Sequence, residues 1–194
     1  KSFGYMKILR LVLVGTVLAV APPASAQSTF ADESEGRDAP SVSISGRALA
    51  AEAARALDAN NDLGPIEIDG HLDEDDWANA RVFTDFTQSQ PVEGDPAEHD
   101  TEVRMLFGDE AIWIAARMYD SSPETIVRRL GRRDSHGSWD LFVAQFDPNL
   151  DRLTGYLFAV NAANVQSDAY LHDDTKMDAA WDAVWSSAVN VDDE

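Results

Sequence analysis

From Ile66 onward, apolar residues recur at alternate positions in short runs separated by turn residues, the period of half-buried strands. Ile66-Glu67-Ile68 is the first such run, and Asp69-Gly70 turns the chain after it. Glu102–Phe107 (EVRMLF) alternates, Gly108-Asp109-Glu110 supplies a turn, and Ile112–Tyr119 (IWIAARMY) returns, so a hairpin is predicted. Leu141–Phe146 (LFVAQF), the turn Asp147-Pro148-Asn149 and Thr154–Asn161 (TGYLFAVN) predict a second one. Val165–Leu171 and Val184–Val189 add two further strands. Helical signals are sparse. Asp73 is placed to cap a short helix through Asn79, with Trp77 turned inward and acids in the first turn, where the helix dipole favours them. Ser122 is placed to cap a helix from Pro123 to Leu130, with proline at its first position. Short strands joined by turns, one or two short helices and no βαβα alternation predict an all-β fold, an antiparallel β-sandwich.

The N-terminal pattern is different. Met6-Lys7-Ile8-Leu9-Arg10 is short and basic, Leu11–Ala21 is apolar without a charge, and Ala24-Ser25-Ala26 precedes Gln27. Basic, apolar and small-x-small segments in that order predict a secretory signal peptide over residues 1–26, with Met6 as the natural start. The apolar run is shorter than the roughly 20 residues that a spanning helix needs. Gln27–Val42 is polar, and Gly46–Asn60 is Ala-rich with only Leu49 and Leu57 as sizeable apolar residues. Residues 27–64 therefore read as a flexible linker, transiently helical in its second half. The sandwich is assigned to residues 65–194. The chain stops at Asp192-Asp193-Glu194 directly after a strand-like run, so a closing element is expected downstream. Export implies the periplasm, the outer membrane or the cell surface.

Composition narrows the functional classes. Across 194 residues, 15 Lys+Arg oppose 35 Asp+Glu for a formal charge of −20. Residues 1–26 carry Lys1, Lys7 and Arg10 and no acid, so their removal takes the charge to −23. That sign excludes a non-specific nucleic-acid binder and electrostatic docking on an anionic membrane. The chain has no cysteine, which excludes disulfides, thiol catalysis and thiolate metal sites.

No P-loop, GxGxxG, GxSxG or HExxH motif is present, and nothing in the sequence makes a positive case for an enzyme. Carboxylate pairs for glycoside hydrolysis can be nominated anywhere in so acidic a chain, so a nomination carries no information. No cofactor is expected. Calcium is the one metal that His172-Asp173-Asp174 could serve, but the run lacks the spaced ligands of a calcium loop. Two constellations remain. Arg128, Arg129, Arg132 and Arg133, followed by Asp134, form the one basic cluster, suited to gripping hydroxyls or an acidic group, or to pairing with the surplus carboxylates. Trp139, Trp181 and Trp185 offer flat faces for stacking on sugar rings, or core packing. Trp181 and Trp185 are four apart and share a face, so at least one is expected to be buried.

The stretch Ile66–Trp77 (IEIDGHLDEDDW) resembles the I-D-G-x-L-D-E-x-x-W opening of family 9 carbohydrate-binding modules. The hairpin Thr101–Tyr119, then Asp140–Asp147 and Thr154–Asn161, extend the likeness. Leu130-Gly131-Arg132-Arg133-Asp134, Val160-Asn161 with Val165-Gln166-Ser167-Asp168, and Trp181-Asp182-Ala183-Val184-Trp185 resemble a bacterial exported family more closely. In that family such a module heads a longer chain whose C-terminal part is thought to form an outer-membrane β-barrel. The resemblance spans about residues 64–191. It implies a sandwich of the family 9 (DOMON-like) type that binds carbohydrate without catalysis. It also implies that the partner segment is the downstream part of the same polypeptide and that the next element would be a G-W-x-x-E-x-x-I-P strand.

The family's usual sugar contacts are a tryptophan before the first D-x-x-x-x-x-x-D strand, a glutamate within it and an arginine in the next strand. They fall here on Gly137, Val143 and Ala159, so the family's site does not carry over. Trp139, two residues from the expected aromatic, is the candidate substitute. Arg132, Arg133, Asn161 and Gln166 are the candidate polar contacts. The alternative expectation is a structural head of an outer-membrane barrel that binds no sugar.

Overall fold

The computed structural model describes residues 9–11 and 63–191, apart from 89–91, 98, 109–110, 136, 138 and 174–175. The linker reading therefore lies almost wholly outside the described residues. What is described is all-β with little helix. In chain order the elements are β1 (Leu9–Leu11), α1 (Asp75–Asn79), β2 (Val82–Phe83), β3 (Thr101–Phe107), β4 (Ile112–Met118), β5 (Leu141–Phe146), β6 (Gly155–Asn161), β7 (Gln166–His172), β8 (Lys176–Asp178) and β9 (Trp185–Ser187). They form two antiparallel sheets, one ordered β2-β3-β4-β1-β9 and the other β5-β6-β7-β8.

Both predicted hairpins form. Thr101 pairs with Met118 and Phe107 with Ile112 in the first; Leu141 pairs with Asn161 and Phe146 with Tyr156 in the second. Their period-2 alternation sends one set of side chains from each sheet into a common cluster. Val103, Met105, Phe107, Ile112, Ile114 and Ala116 meet Phe146, Phe158 and Val160 there, with Trp185 among them. Phe158 is wholly buried and lies edge-on to Phe146 at 5.9 Å and to Trp185 at 5.5 Å. Edge-to-face packing suits the ring quadrupoles. On the far side of the first sheet, Trp77 of α1 packs with Leu106 and Ala115, and Leu63, Ile66, Ile68 and Leu72 lie alongside.

Several expectations need correction. Ile66-Glu67-Ile68 alternates but is not a strand, because its backbone is engaged by a side chain: the Glu67 N–H donates to Glu74 Oε1 at 2.8 Å. The residue at the N-cap of α1 is Glu74 rather than Asp73, and it makes no side-chain cap bond. The helix expected from Pro123 to Leu130 is one 3₁₀ turn, Pro123–Thr125. Tertiary bonds capture the backbone beyond it. The Val127 N–H donates to Asp140 Oδ2 at 2.6 Å, and the Arg129 carbonyl accepts from Asn161 Nδ2 at 2.9 Å. β2 and β8, two and three residues long, give too short an alternation to be read from sequence, and β1 falls inside the expected leader.

The β5–β6 turn is built on two aspartates. Asp147, 5% exposed, accepts the N–H groups of Asp151 and Arg152, and Asp151 accepts those of Leu153 and Thr154 together with the Thr154 hydroxyl. These bonds hold Leu150 and Arg152 at φ 57°, in the left-handed region that L residues avoid.

Two outcomes are expected. Phe158→Ala empties the centre of the core and lowers unfolding free energy by about 3–5 kcal/mol in urea titration. For the turn, the Leu153 backbone bond and the Thr154 bonds hold the Asp151 carboxyl below its ordinary value of 3.8. A lowered folded pKa contributes stability that is present above the ordinary value and is lost as pH falls through the folded one. The Leu153 and Thr154 amide resonances therefore shift together only below pH 3.8, and Asp151→Asn removes that titration.

Candidate functional site

Along β7 the alternation sets Asp168 opposite Phe158 of β6, so a carboxylate faces the core side of its sheet. Its side chain is 0% exposed. Such a charge persists in a protein interior only when its oxygens are matched by donors. Here they are. Oδ1 accepts the Ala183 N–H at 3.0 Å, while Oδ2 accepts the Trp185 indole N–H at 2.8 Å and a close bond from Arg133 Nη2. One side chain of the second sheet thus fastens the segment leading into β9 of the first sheet and the loop before β5.

Arg133 is equally engaged. Nη1 donates to Gln166 Oε1 at 2.8 Å, and Nη2 donates also to the Ala183 carbonyl at 2.9 Å and lies 3.0 Å from Asp182. Its guanidinium carbon is 5.9 Å from the Trp185 ring centroid. Next in the chain, Asp134 adopts φ 59° and pairs with the N-terminal half of β7, beyond the reach of β8. Its N–H donates to the Gln166 carbonyl at 3.0 Å, and its Oδ1 accepts the Asp168 N–H at 3.1 Å. A short loop and one carboxylate thereby cover a stretch of strand edge.

The network continues toward β9. Gln166 Nε2 donates to Ser187 Oγ at 2.9 Å and to the Trp185 carbonyl at 3.4 Å. Ser187 Oγ donates to Asn164 Oδ1 at 2.6 Å, and Asn164 Nδ2 donates to the Ser187 carbonyl at 3.1 Å. Asn161, 0% exposed, shapes the β6–β7 turn: Oδ1 accepts the N–H groups of Ala163 and Val165, and Nδ2 holds the Arg129 carbonyl.

The five sequence-predicted contacts therefore separate. Arg133 and Gln166 meet, but in a network directed into the protein; Asn161 is sealed within its turn and cannot reach a ligand. Trp139 and Arg132 are different. Trp139 is half-buried, and its Cζ3–Cη2 edge rests against two glycines. A Cβ on Gly131 would stand 3.2 Å from Cη2, and one on Gly137 would stand 3.2 Å from Cζ3, so the loop closes on the ring only because neither has a side chain. Arg132 is exposed, as are Arg128 and Arg129, and none of the three has a carboxylate partner among the described residues.

Val143 and Ala159, where the resemblance would put a glutamate and an arginine, are direct cross-strand partners on β5 and β6. A charged pair there would touch; this chain has two apolar side chains instead. Trp181 and Trp185 both pack on Phe158, so neither is a free platform. Asp173 is engaged by Lys176 at 3.0 Å and by His172 at 3.4 Å. Among the described residues, no group of three His, Asp or Glu side chains is placed to hold a metal ion.

Compared with protein-family models, with curated proteins and with solved structures, the chain finds no match.

Sequence reasoning gave no role to Asp168, the centre of the network. The pattern hides it: in Val165-Gln166-Ser167-Asp168-Ala169 the alternation groups Asp168 with Gln166 and Tyr170, the polar positions, and only the second sheet's pairing with Phe158 turns that face inward. Asp168→Ala strips Arg133, Trp185 Nε1 and Ala183 N–H of their common acceptor and is expected to cost about 3–5 kcal/mol in urea unfolding. Arg133→Met leaves two of the three bonds in place and is expected to cost about 1–3 kcal/mol.

Proposed function

We propose that this chain is a non-catalytic carbohydrate-binding β-sandwich of an exported bacterial protein, with Trp139 as its stacking platform and Arg132 as its flanking polar contact. The observation that carries this reading is the half-exposed Trp139, held at one edge by Gly131 and Gly137. An indole anchored at its edge loses little rotational freedom on binding, and its remaining surface suits the C–H face of a pyranose ring. Exposed guanidiniums in the same loop can orient hydroxyls through their fixed N–H forks. The opening motif from Ile66 to Trp77 supports the same module type, with two antiparallel sheets sharing one core as its expected architecture. We assign no catalytic residue: the buried carboxylate Asp168 and its partner Arg133 are engaged inside the protein and face no open site.

A second reading, a structural head for an outer-membrane barrel in the same polypeptide, is favoured by Val143 and Ala159. An apolar cross-strand pair removes two polar contacts that a tight sugar site would use.

Affinity electrophoresis in gels containing soluble polysaccharide, chosen by a glycan array covering neutral and acidic sugars, separates the two. Trp139→Ala is expected to weaken retention about tenfold, and Arg132→Gln severalfold with the urea midpoint unchanged, and both variants are checked to remain folded under the gel conditions. A flat array, or retention unaltered by Trp139→Ala, discards the carbohydrate reading and leaves the structural one.

A further inference from the structure

The arginines between Arg128 and Arg133 have different fates. Arg133 takes three carboxylates, those of Asp134, Asp168 and Asp182. Arg128, Arg129 and Arg132 are exposed, and no described residue bonds to their guanidiniums. Their backbone is nevertheless fixed. Asp140 holds the N–H of Val127 at 2.6 Å, Asn161 holds the Arg129 carbonyl at 2.9 Å, and the Ser135 N–H donates to the Arg132 carbonyl at 3.1 Å. The guanidiniums are thus carried on a shaped loop beside the Trp139 ring, whose edge rests on Gly131. Arg132 follows that glycine by one Cα step, about 3.8 Å, and Arg129 precedes it by two residues.

Donors and acceptors are unequally available on this surface. A sugar hydroxyl both donates and accepts, so a site for neutral sugar is served by side chains of both kinds. Here the amides and carboxylates around the loop already answer donors of the protein. Asn161 Oδ1 accepts two backbone N–H groups, Gln166 Oε1 accepts from Arg133, and Asp140 accepts from Val127. Asp134, Asp168 and Asp182 all serve Arg133. The three outward guanidiniums carry donors only. A carboxylate is their complement: it only accepts, and its two oxygens match the guanidinium fork through paired charge-assisted bonds.

The charge of the whole chain sets a limit on that ligand. At −20 the chain repels a polymer with an acid on every sugar over a Debye length, about 8 Å at physiological ionic strength. An isolated acid meets the arginines without bringing further negative charge toward the carboxylates around them.

We infer that the glycan taken at Trp139 carries a carboxylate, an isolated uronic acid unit on an otherwise neutral polysaccharide. The inference rests on the carbohydrate reading and names the ligand class of that same site. A neutral sugar of the chain stacks on the indole, while Arg129 and Arg132, on either side of Gly131, grip the uronate.

The test uses the full chain. On the glycan array, glycans with a single uronate are expected to exceed their uronate-free counterparts. In affinity electrophoresis, three polymers are compared: a xylan with isolated glucuronic acid branches, the same xylan with its carboxylates reduced to alcohols, and polygalacturonate. Retention on the branched xylan is expected to be about tenfold stronger than on the reduced one, and stronger than on polygalacturonate. Arg129→Gln combined with Arg132→Gln brings the ratio of the two xylans toward one. Both xylans meet the same protein sample, so that ratio does not depend on how much of the variant is folded. Array signals without preference for uronate, equal retention on the two xylans, or a ratio unchanged in the double variant overturns the uronate and leaves the carbohydrate reading standing. Polygalacturonate retained as strongly as the branched xylan overturns the isolated acid. A flat array discards the carbohydrate reading and the uronate with it.

Discussion

The structure depends on the bonds to one buried carboxylate. Asp168 belongs to the second sheet, yet its two oxygens fix Ala183 and Trp185 on the way into β9 and Arg133 in the loop before β5. A carboxylate in a protein interior loses several kcal/mol of hydration, so it is tolerated only where donors converge on it. That requirement makes the interaction a positional device. A hydrophobic contact at this place would hold the layers together with some freedom to slide, whereas three directional bonds permit one arrangement.

The indoles make the same point by contrast. Trp77 and Trp113 have buried N–H groups with no hydrogen-bond partner among the described residues, and they lie in the cluster on the far side of the first sheet, which is built from apolar bulk. Trp185 is buried like Trp77, and its N–H is answered by Asp168. Its ring meets Phe158 edge-on while its nitrogen is tied to β7, so one residue joins the apolar core to the polar network. Arg133 then closes the arrangement from outside. A third of its side chain remains exposed, so hydration offsets part of its cost while it neutralises a charge that is fully enclosed.

Where local pattern decides structure, the sequence is legible. Both hairpins follow from alternation and turn residues, and Trp77 was read as inward-facing from its place in a short capped segment. Reading fails where tertiary bonds outrank propensity. Ser122-Pro123 is a sound helix start, but Asp140 and Asn161 capture the following backbone and draw it out of the helix. The candidate site divides along the same line. Trp139 stands out because indoles are conspicuous and its glycines lie within eight residues of one another. Arg133, Asn161 and Gln166 look like binding residues because polar side chains near aromatics resemble a sugar site. Their actual partners, Asp168, Ala183, Ser187 and the Arg129 carbonyl, are distant in sequence and cannot be inferred from composition.

The negative charge of the chain acquires a direction from this arrangement. A chain at −20 repels anionic polymers over a Debye length, about 8 Å at physiological ionic strength. Against that background Arg128, Arg129 and Arg132 are exposed without carboxylate partners among the described residues, in the loop whose glycines receive Trp139. Arg133, the one member of the cluster engaged by three carboxylates, anchors the loop and leaves the others outward. The internal pairing and the outward arginines are thus linked: Asp168 fixes the base of the loop, and the loop presents a small cationic, aromatic surface on an otherwise acidic protein. A polyanion approaching this face would meet attraction at three residues and repulsion from the rest of the domain, so the outward arginines alter the local field without reversing the sign of the whole.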